Sequence, residues 1–93
     1  MAYHIPDIKG FTDSTSKNDA CPSIYYRINK DRGLQLFCDH DDQSLSEFED
    51  LDPKYYFRYT LVLQDEQTTL LQSNDVEEVK RFITHFLENE YAN

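Results

Sequence analysis

Between residues 39 and 52 the chain reads DHDDQSLSEFEDLD, seven carboxylates in fourteen residues with no lysine or arginine. Carboxylates packed this closely can coordinate a hard cation, work as an acid–base pair, or face a positively charged surface. Calcium fails first. With Asp39 opening a twelve-residue calcium loop, ligands fall at Asp41, Gln43 and Asp50. The sixth position, where the loop needs glycine, is Ser44, and the twelfth is an aspartate where a bidentate glutamate belongs.

Softer metals and nucleophilic chemistry fare no better. Cys38 and His40 make a C-x-H pair, but a closed zinc site takes four ligands in paired spacings. Cys21, His4 and His85 stand apart from that pair in sequence. As a thiol and base, Cys38 and His40 sit among carboxylates, which raise a thiol pKa and so oppose activation. Gly10 and Gly33 are isolated, so there is no glycine-rich phosphate loop. Carboxylate pairs suited to glycoside hydrolysis arise by number alone in so acidic a chain. The expectation is a protein that is not an enzyme, with no cofactor and no metal.

Eighteen acids against nine bases leave a formal charge of −9. Binding to nucleic acid depends on lysine and arginine displacing counterions from phosphate, so direct nucleic-acid binding is not expected. Anionic membranes are disfavoured for the same reason. The charge favours fast, salt-sensitive association with a basic protein surface. MAYHIPDIKG has neither the basic start nor the apolar run of a secretory signal. No stretch approaches the roughly 20 apolar residues that cross a bilayer. A cytoplasmic location is expected, with Cys21 and Cys38 reduced.

The elements that must position the acidic segment follow from hydrophobic period. Residues 1–20 read as a flexible N-terminal arm, because GFTDSTSKNDA strings small polar residues without an apolar period. Residues 21–93 read as a single α+β domain. In SIYYRIN, Ile24, Tyr26 and Ile28 alternate against Tyr25 and Arg27, which predicts a strand. KDRG supplies a turn, with Gly33 available for a positive φ, and LQLFCD closes a hairpin. YYFRYTLVL, residues 55–63, predicts a long interior strand, and QDEQ turns it into TTLLQ as a second hairpin.

The period then changes to 3.6. Val76, Val79, Phe82, Ile83, Phe86 and Leu87 form one stripe of a C-terminal amphipathic helix, with Ser73 or Asn74 as its cap. The predicted architecture is an antiparallel sheet of two hairpins with this helix packed on one face. Its core should draw on Ile24, Tyr26 or Ile28, on Phe57, Tyr59 and Leu61, and on Val79, Phe82, Ile83 and Phe86.

Within the acidic segment, Ser44 and Glu47 have the spacing of a capping box, and Leu45, Phe48 and Leu51 follow at helical intervals. A short connecting helix pinned to the core by these three would leave the seven acids facing outward. Two readings stay open: a solvated crossover, or an ordered array of carboxylates whose mutual repulsion is tolerated because function uses it. Tyrosine is the second excess, with seven in the chain and the densest cluster at YYFRY. It suits interfaces by combining apolar area with a polar tip. The candidate partner-binding residues are therefore Asp39, Asp41, Asp42, Glu47, Glu49, Asp50 and Asp52, with Tyr55 and Tyr56.

These features point to a small acidic protein that binds another protein. One form is an inhibitor of a nucleic-acid-handling enzyme or complex, its carboxylates imitating phosphates in the manner of phage or mobile-element anti-defence proteins. The alternative is an accessory interaction module, such as a secretion chaperone or a toxin immunity protein, that binds through its exposed sheet face.

Overall fold

The computed structural model describes residues 5–15, 21–40, 42–46, 48–65 and 67–92. The described chain is α+β. Five strands run as β1 (Thr12–Asp13), β2 (Ser23–Arg27), β3 (Gly33–Cys38), β4 (Tyr59–Leu63) and β5 (Thr68–Ser73), followed by α1 (Val76–Ala92). The strands form one antiparallel sheet in chain order, each bonded to the next. The two expected hairpins are matched in part: β2 pairs with β3 and β4 with β5, but β4 covers only Tyr59–Leu63 of the strand expected over 55–63. Pairing of β3 with β4 joins all of them into a single meander.

Alternation within the strands decides which face is buried. Ile24, Leu34, Leu36, Cys38, Tyr59, Leu61 and Leu63 lie inside, with Val79 and Ile83 of α1 packed against them. Phe82 and Phe86, expected in the core, pack against its edge, only partly buried and stacked on each other at 6.2 Å. The branched Val79 and Ile83 take the innermost positions, and the larger rings close the side. In β5 two consecutive leucines cannot both face inward in a regular strand. A register shift opposite Leu61 and Val62 lets Leu70 and Leu71 both pack on the core.

The arm departs from expectation over its described part. Thr12 and Asp13 pair with Tyr25 and Ile24, adding an edge strand. Ser14 donates its backbone N–H to the Ser23 carbonyl at 2.9 Å, and Thr15 Oγ1 accepts from Ser23 N at 3.1 Å. Ile8 and Phe11 pack on the core, with the Phe11 ring 5.3 Å from that of Tyr26. Its polar residues read as coil, yet their hydroxyls satisfy the open edge of β2. Residues 1–4 and 16–20 of the expected arm lie outside the described residues.

Glycine usage also differs from the reading. The positive φ belongs to Gly10, at +89°, and not to Gly33. Gly33 is small for another reason, since a Cβ there would collide with the hydroxyl and ring of Tyr25. The helix is capped by Asp75, whose carboxylate accepts from Glu77 N at 3.0 Å. Asn74, one of the expected caps, accepts instead from Arg58 N at 2.8 Å and ties the entry of β4 to the start of α1. Among the described residues no helix is long and apolar enough to cross a membrane.

Candidate functional site

The described residues of the acidic segment do not form the expected helix. It makes two short 3-10 turns, Gln43–Leu45 and Pro53–Tyr55, joined by a bend through Phe48, Glu49 and Asp50. Local competition explains the change. Asp42 Oδ1 accepts from both Ser44 N at 3.0 Å and Ser44 Oγ at 2.7 Å, so the expected capping serine is itself capped. Pro53 disfavours helical geometry at Asp52, and a segment this short has no cooperative reserve. Asp52 then caps the second turn, accepting from Lys54 N at 3.1 Å.

A buried polar network holds the loop to the sheet. Asp39 donates its backbone N–H to Arg58 O at 2.6 Å, pairing the two ends of the excursion. Its carboxylate accepts from His40 N at 2.7 Å and from Ser46 Oγ at 3.0 Å. Ser46 Oγ in turn accepts from Phe48 N at 3.1 Å, and His40 Nδ1 accepts from Asp42 N at 2.8 Å. The Tyr56 hydroxyl donates to the His40 carbonyl. Gln43 completes the set, its amide donating to the carbonyls of Phe48 and Leu51.

The nine candidate residues therefore separate into classes. Asp39 and Tyr56 are buried at 8% exposure each, and both belong to the network instead of facing outward as expected. Burial pushes the Tyr56 hydroxyl pKa upward. Asp42 and Asp52 are exposed but occupied as caps, and the hydroxyl and N–H of Ser44 hold the Asp42 carboxyl below the ordinary aspartate range. Asp52 also lies 3.9 Å from the Lys54 ammonium. Glu49, Asp50 and Tyr55 are exposed. Asp41 and Glu47 lie outside the described residues.

Apolar side chains, missed in the sequence reading, define the rest of the site. Phe48 and Leu51 were expected to pin a helix to the core; they stand 50% and 41% exposed. Together with Tyr55 they border a pocket of about 410 Å³. Phe37, Thr60, Val62 and Gln72 also line it. These four lie on the sheet face opposite α1, because Phe37 pairs with Thr60, Thr60 with Gln72, and Val62 is two residues on. The acidic loop therefore runs beside the open sheet face, and the pocket lies between them. Phe57, expected in the core, lines this pocket, since β4 begins only at Tyr59 and the alternation does not reach back to it.

Arg58 is the cation of the pocket. Its guanidinium lies 5.3 Å from the Tyr59 ring centroid, and its Nε is buried without a hydrogen-bond acceptor among the described residues. A buried donor left in that state costs about 1–3 kcal/mol. The signals legible in advance were Pro53, which ends any helix before Tyr55, and the D-x-S and D-P-K spacings that favour aspartate-capped turns.

Among the described residues no group of three or more His, Cys, Asp and Glu side chains is placed to hold a metal ion. Burial pushes the Cys38 thiol up to about 12, which keeps it protonated and a poor nucleophile. What the arrangement offers is an apolar, pocketed surface with carboxylates at its edge. Neither family models, nor curated proteins, nor solved structures give a match to this chain.

Proposed function

We propose that this is a protein-binding protein whose contact surface is the acidic loop together with the pocket beside it. One observation carries the reading. The exposed large hydrophobics among the described residues are Ile5, Phe48, Leu51 and Tyr55, and all but Ile5 stand on the acidic loop around a single pocket. Holding such groups half in water forgoes on the order of 1 kcal/mol of burial each. A cluster of them beside a preformed pocket is the ordinary signature of a docking surface.

The chain's charge of −9 makes a basic protein surface the matching partner, and surfaces that handle nucleic acids belong to that class. Pure phosphate mimicry draws less support. Asp39, Asp42 and Asp52 turn their oxygens to the loop's own donors, and the exposed pair Glu49 and Asp50 is flanked by the apolar Phe48 and Leu51. The reading therefore combines an apolar anchor site, which sets lifetime, with charge, which sets encounter rate.

A partner captured from the source cells and identified would be measured kinetically against two double variants at two salt concentrations. Leu51→Ser with Tyr55→Ser should speed dissociation tenfold or more. Glu49→Gln with Asp50→Asn should slow association, most at low salt. Both variants should keep the wild-type circular dichroism spectrum. Unchanged rates in both would remove this surface from function.

A further inference from the structure

We infer that the pocket takes one bulky apolar side chain, aromatic or branched aliphatic, from a partner segment that carries lysine or arginine on either side of it. This rests on the docking reading above and specifies what is docked.

Charge arranged in depth carries the inference. Glu49 and Asp50 are exposed and lie in sequence between Phe48 and Leu51, two side chains that line the pocket. Arg58 also lines it, with Nε buried. Asp39, the acid of the pocket wall, has its oxygens turned to His40 N and Ser46 Oγ. A basic side chain is therefore attracted at the edge and repelled from inside. An apolar side chain is accepted inside, against Phe37, Phe57 and Val62. The two preferences together set a register, base outside and anchor inside, that neither charge nor hydrophobicity would set alone.

The volume agrees. About 410 Å³ accommodates a phenylalanine-sized anchor and part of its backbone, at the small end of ligand pockets generally. The Lys54 ammonium, 3.9 Å from Asp52 and 5.1 Å from the Tyr55 ring centroid, offsets the charge of Asp52 and leaves Glu49 and Asp50 as the acidic edge. A carbonyl oxygen of the docked segment would be well matched to Arg58, whose Nε has no acceptor among the described residues.

The test uses the full chain and labelled synthetic peptides in fluorescence anisotropy, with Lys-Arg-Phe-Arg-Lys as the probe. An alanine in place of its phenylalanine, or glutamates in place of its bases, should each weaken binding tenfold or more. Thr60→Phe, which fills the pocket from an open-face strand position, should abolish binding of the probe while circular dichroism and melting stay as in the wild type. Equal binding of the phenylalanine and alanine peptides overturns the inference in favour of charge alone. Equal binding of the basic and acidic peptides, or no binding of the probe, overturns it as well. In those cases the docking reading is judged separately by Leu51→Ser with Tyr55→Ser against the captured partner.

Discussion

The Tyr56 hydroxyl donates to the carbonyl oxygen of His40 at 2.5 Å, across sixteen positions of chain, and both residues are buried. The bond closes the acidic loop on itself. It ties the residue that opens the loop to one that closes it, across the described part of the acidic segment. Tyr56→Phe leaves the ring but removes a buried hydrogen bond, so it should lower stability by about 0.5–1.5 kcal/mol. Amide exchange at Phe48 and Leu51 should quicken more than at core strand positions. Unchanged melting and exchange would show that the loop is held by other means.

Acids that look alike in sequence should behave oppositely. Asp39→Asn alters a buried carboxylate that accepts from His40 N and Ser46 Oγ, and it should destabilise by about 1–3 kcal/mol. Asp50→Asn removes an exposed charge from a crowded segment, and its effect should stay within about 0.5 kcal/mol. Urea midpoints of the two variants, measured side by side, decide the point. Equal effects would refute the division of the segment into structural and free acids.

Alkaline pH should weaken the fold. Burial raises the Cys38 thiol from an ordinary 9.0 to about 12, and raises the Tyr59 and Tyr56 hydroxyls above theirs. As pH climbs past the ordinary values the unfolded chain loses these protons first. The folded state then binds more protons, and stability falls with rising pH. Stability from these groups is complete below the ordinary thiol value and is lost progressively toward the raised ones. Melting temperatures across that range should decline, and more shallowly in Cys38→Ala once its lower starting stability is subtracted.

Thiol labelling gives an independent check. Cys21 is partly exposed, whereas Cys38 is fully buried with its proton held tightly. Iodoacetamide near neutral pH should modify Cys21 many times faster than Cys38, and peptide mass mapping would read the ratio. Comparable rates at both would contradict the burial of β3.

Helix substitutions should rank by position on the stripe, not by side-chain size. Ile83→Ala empties a site that is 2% exposed and should cost about 2–5 kcal/mol. Phe82→Ala removes more atoms from a partly buried place and should cost less than Ile83→Ala. A reversed order in thermal melts would shift the helix register.

Much of the architecture could be read from the chain itself. Period-two alternation in SIYYR, LQLFC and YTLVL places Ile24, Leu36 and Leu61 on one face, because neighbouring side chains in a strand must point oppositely. The change to a 3.6 period at Val76 sets α1 and its packing residues, since a period of two would put Val76 on the face opposite Val79 and Ile83. These are local consequences of backbone geometry. The acidic loop is different. Leu45, Phe48 and Leu51 carry a helical spacing, but Asp42, Asp52 and Pro53 compete for the same backbone donors and dihedrals. Only the tertiary structure resolved that competition, by bringing Tyr56 to His40 and Arg58 to Asp39. It also decided that Asp39 is buried while Asp50 is not, since that difference depends on Ser46 and Arg58, seven and nineteen positions from Asp39, and leaves no trace in local spacing.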